Sequence, residues 1–272
     1  MLVMERTTLI AGKNMPDAAS FVDGIAHSGR QIIVTGLQSD NNEGKRLTIA
    51  ERKANQAAYE EEKNLEAKSG VVTIEWNKSS PLSARSLVLQ TATIFGSMDE
   101  AVLYFDEQWY ASKAEQMNSE EIARATDEMI SGYQYLALEA LASFQKRETS
   151  QGAGTLVFIL KETPDRVDVV KTPALKDGLS AIASPLVSAG AAAFEAFAEN
   201  LAAVCIDSIF VNVLLIRGSS DSEGFRRDDE TGRWLAEYLN SYEGKKSDGK
   251  KSVTWIKPGA KPSSGGFGFF RR

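Results

Sequence analysis

Four charged side chains from two short stretches carry the chemical interest of this sequence: Asp106 and Glu107 in one, Lys161 and Glu162 in the other. Each pair follows a continuous apolar run, Glu100–Phe105 (EAVLYF) or Thr155–Leu160 (TLVFIL), that reads as a buried strand. Groups at the carboxyl ends of parallel strands line the crevice in which α/β sheets bind ligands. There, Lys13, Lys161 and Arg217 could contact an anion, with Gly12 and Asp106 beside them. Equally, opposite charges so placed can neutralise one another at a solvated rim, and that is the plainer expectation.

Other candidates are weaker. Tyr110-Ala111-Ser112-Lys113 sets a phenol and an amine three residues apart, after a strand, and reads as a surface loop. His27, the single histidine, precedes Ser28-Gly29 and suits a helix C-terminus capped by glycine. Gly24 lies too far along that helix to belong to a glycine-rich loop. One histidine and one cysteine, Cys205, far apart make neither a zinc cluster nor a Cys–His pair. No metal is expected. The lone cysteine excludes an intramolecular disulfide and fits a reducing cytoplasm. A formal net charge of −6 argues against nucleic acid or an anionic membrane as partner. No apolar run is long enough to span a membrane, and MLVMERTT lacks a signal peptide's apolar stretch, so a cytoplasmic protein is expected. The runs Glu60–Glu62 and Lys245–Lys251 read as solvated faces and loops.

The elements that must position these groups alternate. Strand-like runs at Thr7–Ala11, Gln31–Thr35, Val71–Trp76, Glu100–Phe105, Thr155–Leu160, Ile209–Ile216 and Ser252–Ile256 are separated mainly by helical segments. Those segments are Pro16–His27, a charged helix Ile49–Lys68, Pro81–Phe95, a long helix Ser119–Lys146 with Ser119 as N-cap, Ser184–Cys205, and Gly232–Tyr242. Val170–Ala183 is a loop or short helix. Such alternation of apolar strands with helices predicts βαβ units. The fold class is α/β: a Rossmann-like, doubly wound, parallel seven-stranded sheet in a single domain, residues 1–257. Residues 258–272 form a Gly/Ser/Phe-rich tail whose Phe267, Phe269 and Phe270 either meet a partner or fold back on the core.

The segment Ser184–Cys205 (SPLVSAGAAAFEAFAENLAAVC) carries no charge from Leu186 to Phe194 and is rich in Ala and Gly. A helix apolar nearly all round is buried on more than one side, within the domain or across a subunit interface.

This order of elements resembles the short-chain dehydrogenase/reductase family over roughly Thr7 to Gly259. Phe95–Asp106 (FGSMDEAVLYFD) looks like the family's run into its fourth strand, Ala191–Val204 (AAAFEAFAENLAAV) is similar to its Ala-rich helix, and Val211-Asn212-Val213 resembles its sixth strand. The resemblance implies an NAD(P)-dependent oxidoreductase with a glycine-rich first turn, a serine after strand five, and a Tyr/Lys pair one turn apart on the Ala-rich helix. This sequence departs from that pattern at each position. In the first turn only Gly12 remains, with Pro16 and Ala18 on the other glycine positions. Leu103-Tyr104-Phe105-Asp106 replaces the cofactor-lining Asn-Asn-Ala-Gly, and the relay asparagine falls near Met129. The serine position is Lys161, the tyrosine position Val187 and the lysine position Ala191. General acid–base chemistry needs a proton-exchanging group, and Val187 and Ala191 offer none.

The expectation is therefore a catalytically inactive relative without cofactor, acting as a structural, scaffolding or regulatory oligomer. It would form a homodimer or tetramer through helices 119–147 and 185–205, the pair that the resemblance places in an interface. The alternative is an atypical NAD- or NADP-binding oxidoreductase, or a small-molecule sensor with a remodelled site.

Overall fold

A computed structural model describes residues 6–36, 66, 69–112, 118–148, 151–177, 181–242 and 253–261. Its strands are β1 (Thr7–Met15), β2 (Gln31–Gly36), β3 (Val71–Glu75), β4 (Glu100–Asp106), β5 (Gly154–Glu162), β6 (Val211–Ser219) and β7 (Trp255–Ile256). They form one sheet in the order β3-β2-β1-β4-β5-β6-β7, with every pairing parallel. The winding reverses between β1 and β4, which makes the carboxyl ends of these two strands the topological switch point. This is the doubly wound α/β sheet expected from the sequence.

Side chains alternate across each strand, and each set feeds its own core. Leu9, Ala11, Leu103, Phe105, Leu156, Phe158 and Leu160 face one side. Ile10, Val102, Tyr104, Val157, Ile159, Leu214 and Ile216 face the other. The first face is covered by α2 (Pro81–Phe95), α5 (Gly132–Gln145) and α7 (Pro185–Cys205), the second by α1 (Ala19–Ala26) and α8 (Asp228–Tyr242). Smaller helices are α3 (Glu107–Ala111), α4 (Ser119–Thr126) and α6 (Arg166–Lys171).

Local chemistry sets the helix ends. Ser80 and Ser184 cap α2 and α7, each followed by a proline at the first helical position, where a missing amide costs nothing. Asp165 and Asp168 form a reciprocal capping box on α6. Helices α1 and α8 meet at two glycines. A Cβ on Gly24 would lie 2.2 Å from the Asp229 carbonyl oxygen, and one on Gly232 2.3 Å from that of Phe21. This approach brings the first turn of α8 over the sheet.

The structure corrects several boundaries. The strand β1 runs on to Met15 and α1 starts at Ala19, so Pro16 lies between them instead of opening a helix. The cap of the long helix is Asn118, whose side chain accepts from the Glu121 amide (2.8 Å), and not Ser119. That helix is also interrupted by a π-helical turn, Asp127–Ser131, with Met129 buried in it against the site of Gly190. Helix α8 begins at Asp228, four residues before the expected Gly232. The segment Val170–Ala183 contains the end of α6 and a 3-10 turn, Pro173–Asp177.

The tail's first residues pack on the body: Trp234 Nε1 donates to the Ala260 carbonyl (3.0 Å). Phe267, Phe269 and Phe270, the charge runs at 60–62 and 245–251, and nearly all of the helix expected at 49–68 lie outside the described residues. No helix among the described residues is long and apolar enough to cross a membrane.

Candidate functional site

The register of the sheet pairs Asp106 of β4 with Lys161 of β5, and Leu160 and Lys161 with Arg217 and Gly218 of β6. The sequence candidates thus converge on the carboxyl edge, but they fall into three separate arrangements.

The first is a closed ring of charges. Lys13 Nζ contacts Asp106 Oδ2 (3.3 Å) and Asp228 Oδ2 (2.7 Å), while Lys161 Nζ contacts Asp106 Oδ2 (3.6 Å) and Asp228 Oδ1 (3.1 Å). The hydroxyl of Tyr104 donates to Asp228 from below (3.3 Å). The two charge types do neutralise one another, yet not at a solvated rim, because Lys161 is 6% exposed and Asp106 2%. Burial opposes the charge on Asp228, but Lys161 and Lys13 outweigh it and hold the carboxyl below its ordinary range. Burial likewise works against Lys13, and Asp106 and Asp228 reverse it, raising its pKa. Lysines so engaged are not available to a ligand without breaking the ring.

The second arrangement lies beneath the carboxyl half of β1. Lys78 Nζ donates to the Gly12 carbonyl (3.0 Å) and the Tyr110 hydroxyl (2.8 Å). It sits 5.2–5.6 Å from the ring centres of Trp76, Trp109, Tyr110 and Tyr133, within cation–π range. The Tyr110 and Tyr133 hydroxyls are 3.0 Å apart, and Tyr133 donates to the Tyr104 carbonyl (2.9 Å). Tyr110 is thus a core residue at 2% exposure and not part of a surface loop; Lys113 lies outside the described residues. Burial pushes both tyrosines well above their usual pKa, so they stay protonated, the reverse of an activated acid/base phenol.

The third is an open cavity of about 380 Å³ between the ends of β5 and β6, α3 and the first half of α7. Leu160, Pro164, Ala191 and Ala192 line it with carbon, and Glu107, Glu162, Asp165, Asp168 and Glu195 ring it with carboxylates. Arg217 is the only lining cation among the described residues, and it pairs with Glu162 (2.7 Å) and Glu195. Glu107 is 8% exposed and accepts the Thr163 amide at Oε2 (2.6 Å). Burial, with Glu162 and Asp165 nearby, lifts its pKa to about 7. Val187 is buried in the first turn of α7 and Ala191, one turn further on, lines the cavity, so neither of these two positions brings a proton-exchanging group to it. His27 is the C-cap of α1, followed by Gly29 at φ 78°, and Cys205 is a buried thiol whose pKa burial raises. Among the described residues, no three His, Cys, Asp or Glu side chains converge to hold a metal ion.

No family model matches the sequence. An uncharacterized protein of Treponema pallidum is 28% identical over 170 residues, which span 62% of this chain and 66% of that protein, just under two thirds of its length. Among solved structures, a short chain dehydrogenase from Mycobacterium smegmatis matches with a TM-score of 0.59 at 14% identity, covering 95% of this chain and 93% of that one. A short-chain dehydrogenase/reductase from Serratia marcescens matches with a TM-score of 0.54 at 13% identity, covering 94% and 97%. The fold is that of the short-chain dehydrogenases.

In that fold a dinucleotide lays its pyrophosphate on the turn after β1, where glycines expose backbone amides at a helix start. Here the carboxyl end of β1 and the turn after it are built shut. Gly12 has φ +120°, and a Cβ on it would lie 2.1 Å from the Tyr104 carbonyl oxygen and 2.6 Å from the Tyr133 hydroxyl. Pro16 offers no amide, and Asp17 accepts from Trp109 Nε1 (2.7 Å), strapping the turn to α3. Asp17 brings negative charge where a phosphate needs donors, and Asp106 and Asp228 engage the two nearby lysines. As it stands, the turn does not fit a pyrophosphate.

Several members of these clusters are not foreseen from the sequence, Asp228, Lys78 and Tyr133 among them. Asp228 falls before the helix expected from Gly232, although the acidic run Asp228-Asp229-Glu230 is a helix-start signal. Lys78, after strand three, and Tyr133, inside a long helix, carry no local signal of their meeting.

Proposed function

We propose that this chain is a short-chain-dehydrogenase-like protein that has given up dinucleotide-dependent carbonyl chemistry and serves as a structural or regulatory oligomer. The observation that carries this reading is Gly12, whose open face is covered by Tyr104 and Tyr133 while the adjacent lysines are held by Asp106 and Asp228. Val187 and Ala191 support it, since neither can move a proton.

Self-association would use α7. Its outward positions Ala189, Ala192, Ala196 and Ala203 are small and at least partly exposed, which lets a second helix approach closely. The long helix 119–147 would complete the interface with the exposed Ile122 and Leu138. A second reading, a small-molecule sensor, is favoured by the cavity beside Arg217. The test of the main reading is calorimetric titration with NAD, NADH, NADP and NADPH. No binding up to millimolar cofactor is expected, and micromolar binding of any of them overturns it.

A further inference from the structure

One wall of the cavity at the ends of β5 and β6 is made by Thr163, Pro164, Asp165 and Asp168, which belong to a single excursion of the chain. We infer that residues 163–177 form a flap, held down while the Glu107 carboxyl is neutral and lifted when it ionises. This goes beyond both readings of function above and is independent of how Gly12 is closed off.

The flap is lightly attached. No residue of α6 is buried, Val167 and Val170 are exposed, and the helix packs chiefly on the 3-10 turn that follows it. Its capping box, Asp165 with Asp168, closes within the segment, so the first turn of α6 does not depend on the body. The base of the flap is tied down by hydrogen bonds. The Thr163 amide donates to Glu107 Oε2 (2.6 Å), the Thr163 hydroxyl to Ser220 Oγ (3.3 Å), and the Ala183 amide to the Pro164 carbonyl (3.0 Å). Segments with so little buried surface open at a fraction of the cost of global unfolding.

Glu107 is the tie that can change. The charged groups around it are Glu162 at the end of β5, Asp165 and Asp168 of the flap, Glu195 of α7 and Arg217 of β6. Arg217 is shared between Glu162 and Glu195, so acids dominate the surroundings of Glu107. A neutral Glu107 accepts the Thr163 amide and repels nothing. Ionised, it is a buried anion facing Glu162 and Asp165. Lifting the flap carries Asp165 away and admits water to the carboxylate, which moves its pKa from about 7 back toward the ordinary 4.5. The lowered flap therefore holds the proton more tightly. Lifting should grow as pH rises from about 4.5 to about 7 and level off above that.

The experiment is hydrogen exchange of the full chain at about pH 6 and pH 8, read by NMR at the Thr163 and Ala183 amides. Protection factors are compared, which removes the intrinsic pH dependence of exchange. Ala183 is the decisive reporter, because its bond to Pro164 breaks when the flap lifts and does not involve Glu107. Protection at both amides should fall about tenfold between the two pH values, while amides in the middle of β4 and β5 change less. Glu107→Gln, which is neutral and still offers the Thr163 amide an acceptor, should abolish the fall at Ala183. Equal protection of Ala183 at both pH values overturns the proposal, as does a fall that survives Glu107→Gln. An equal fall throughout β4 and β5 also overturns it, since the whole domain would then loosen and not the flap.

Discussion

Replacing Asp228 by asparagine removes one of two anions shared by two lysines while keeping the side chain's shape. The substitution abolishes two charge pairs, Lys13 Nζ–Oδ2 at 2.7 Å and Lys161 Nζ–Oδ1 at 3.1 Å. With an effective dielectric near 20, each is worth about 5–6 kcal/mol before desolvation is counted. Desolvation takes back most of this, so the relevant figure is the cost of removing one member of a buried set. The side chains retain 8–14% exposure, which puts that cost near the lower end of the usual range, about 3 kcal/mol. In a domain of this size the melting temperature should fall by about 5–10 °C.

The assay is urea denaturation followed by tryptophan fluorescence, repeated from neutral pH down into acid. The folded Asp228 carboxyl titrates below its ordinary 3.8. Its stabilisation is therefore complete above that value and lost as pH falls through the folded one. The gap between wild type and variant should be full at pH 7 and narrow below about pH 4. Lys13→Met combined with Asp228→Leu should regain part of the loss, because Asp106 and Lys161 remain a pair at 3.6 Å. A gap at pH 7 smaller than about 0.5 kcal/mol, or a double variant as weak as the sum of its singles, would refute the reasoning: the ring would then hold nothing together.

Two further outcomes follow from the same geometry. Glu107 has its folded pKa raised from 4.5 to about 7, so the folded state holds a proton that the unfolded state releases, and stability should decline as pH rises through that window. Glu107→Gln should flatten the decline and be about 2–3 kcal/mol more stable than wild type near pH 8 in thermal denaturation; parallel curves would refute it. Ala196→Arg, on the exposed small-residue stripe of α7, should reduce the particle mass by light scattering without lowering the melting temperature of the monomer. A mass unchanged from wild type would place the interface elsewhere.

Much of the fold is legible in the sequence because its signals are local. The runs TLVFIL and EAVLYF are too apolar and too short for anything but buried strands, and they appear as β5 and β4 with their side chains split between two cores. The candidate site is legible only in part. Asp106, Lys161 and Lys13 announce themselves by following strands, but whether they serve a ligand or one another depends on Asp228, more than a hundred residues beyond Asp106 and brought in by the Gly24–Gly232 crossing. Tyr110 departs from the expected surface loop for a similar reason: its exposure is decided by Lys78 and Tyr133, on other elements.

Asp106 and Glu107 show how one crevice came to have two unlike halves. They are chain neighbours, yet Asp106 turns into the ring and caps α3 through the Trp109 amide (3.2 Å), whereas Glu107 turns to the cavity and the Thr163 amide (2.6 Å). On the Asp106 side, Lys13 and Lys161, which could have met a phosphate, meet carboxylates, and the backbone carbonyl of Tyr104 and the hydroxyl of Tyr133 take the space beside Gly12. On the Glu107 side the lining cation, Arg217, is matched by two carboxylates, while the alanines of α7 leave room. The inside is neutral and full; the outside is acidic and open. A crevice that loses its anion-binding donors and keeps an excess of acid has not merely been closed, because the electrostatic preference of what remains is inverted.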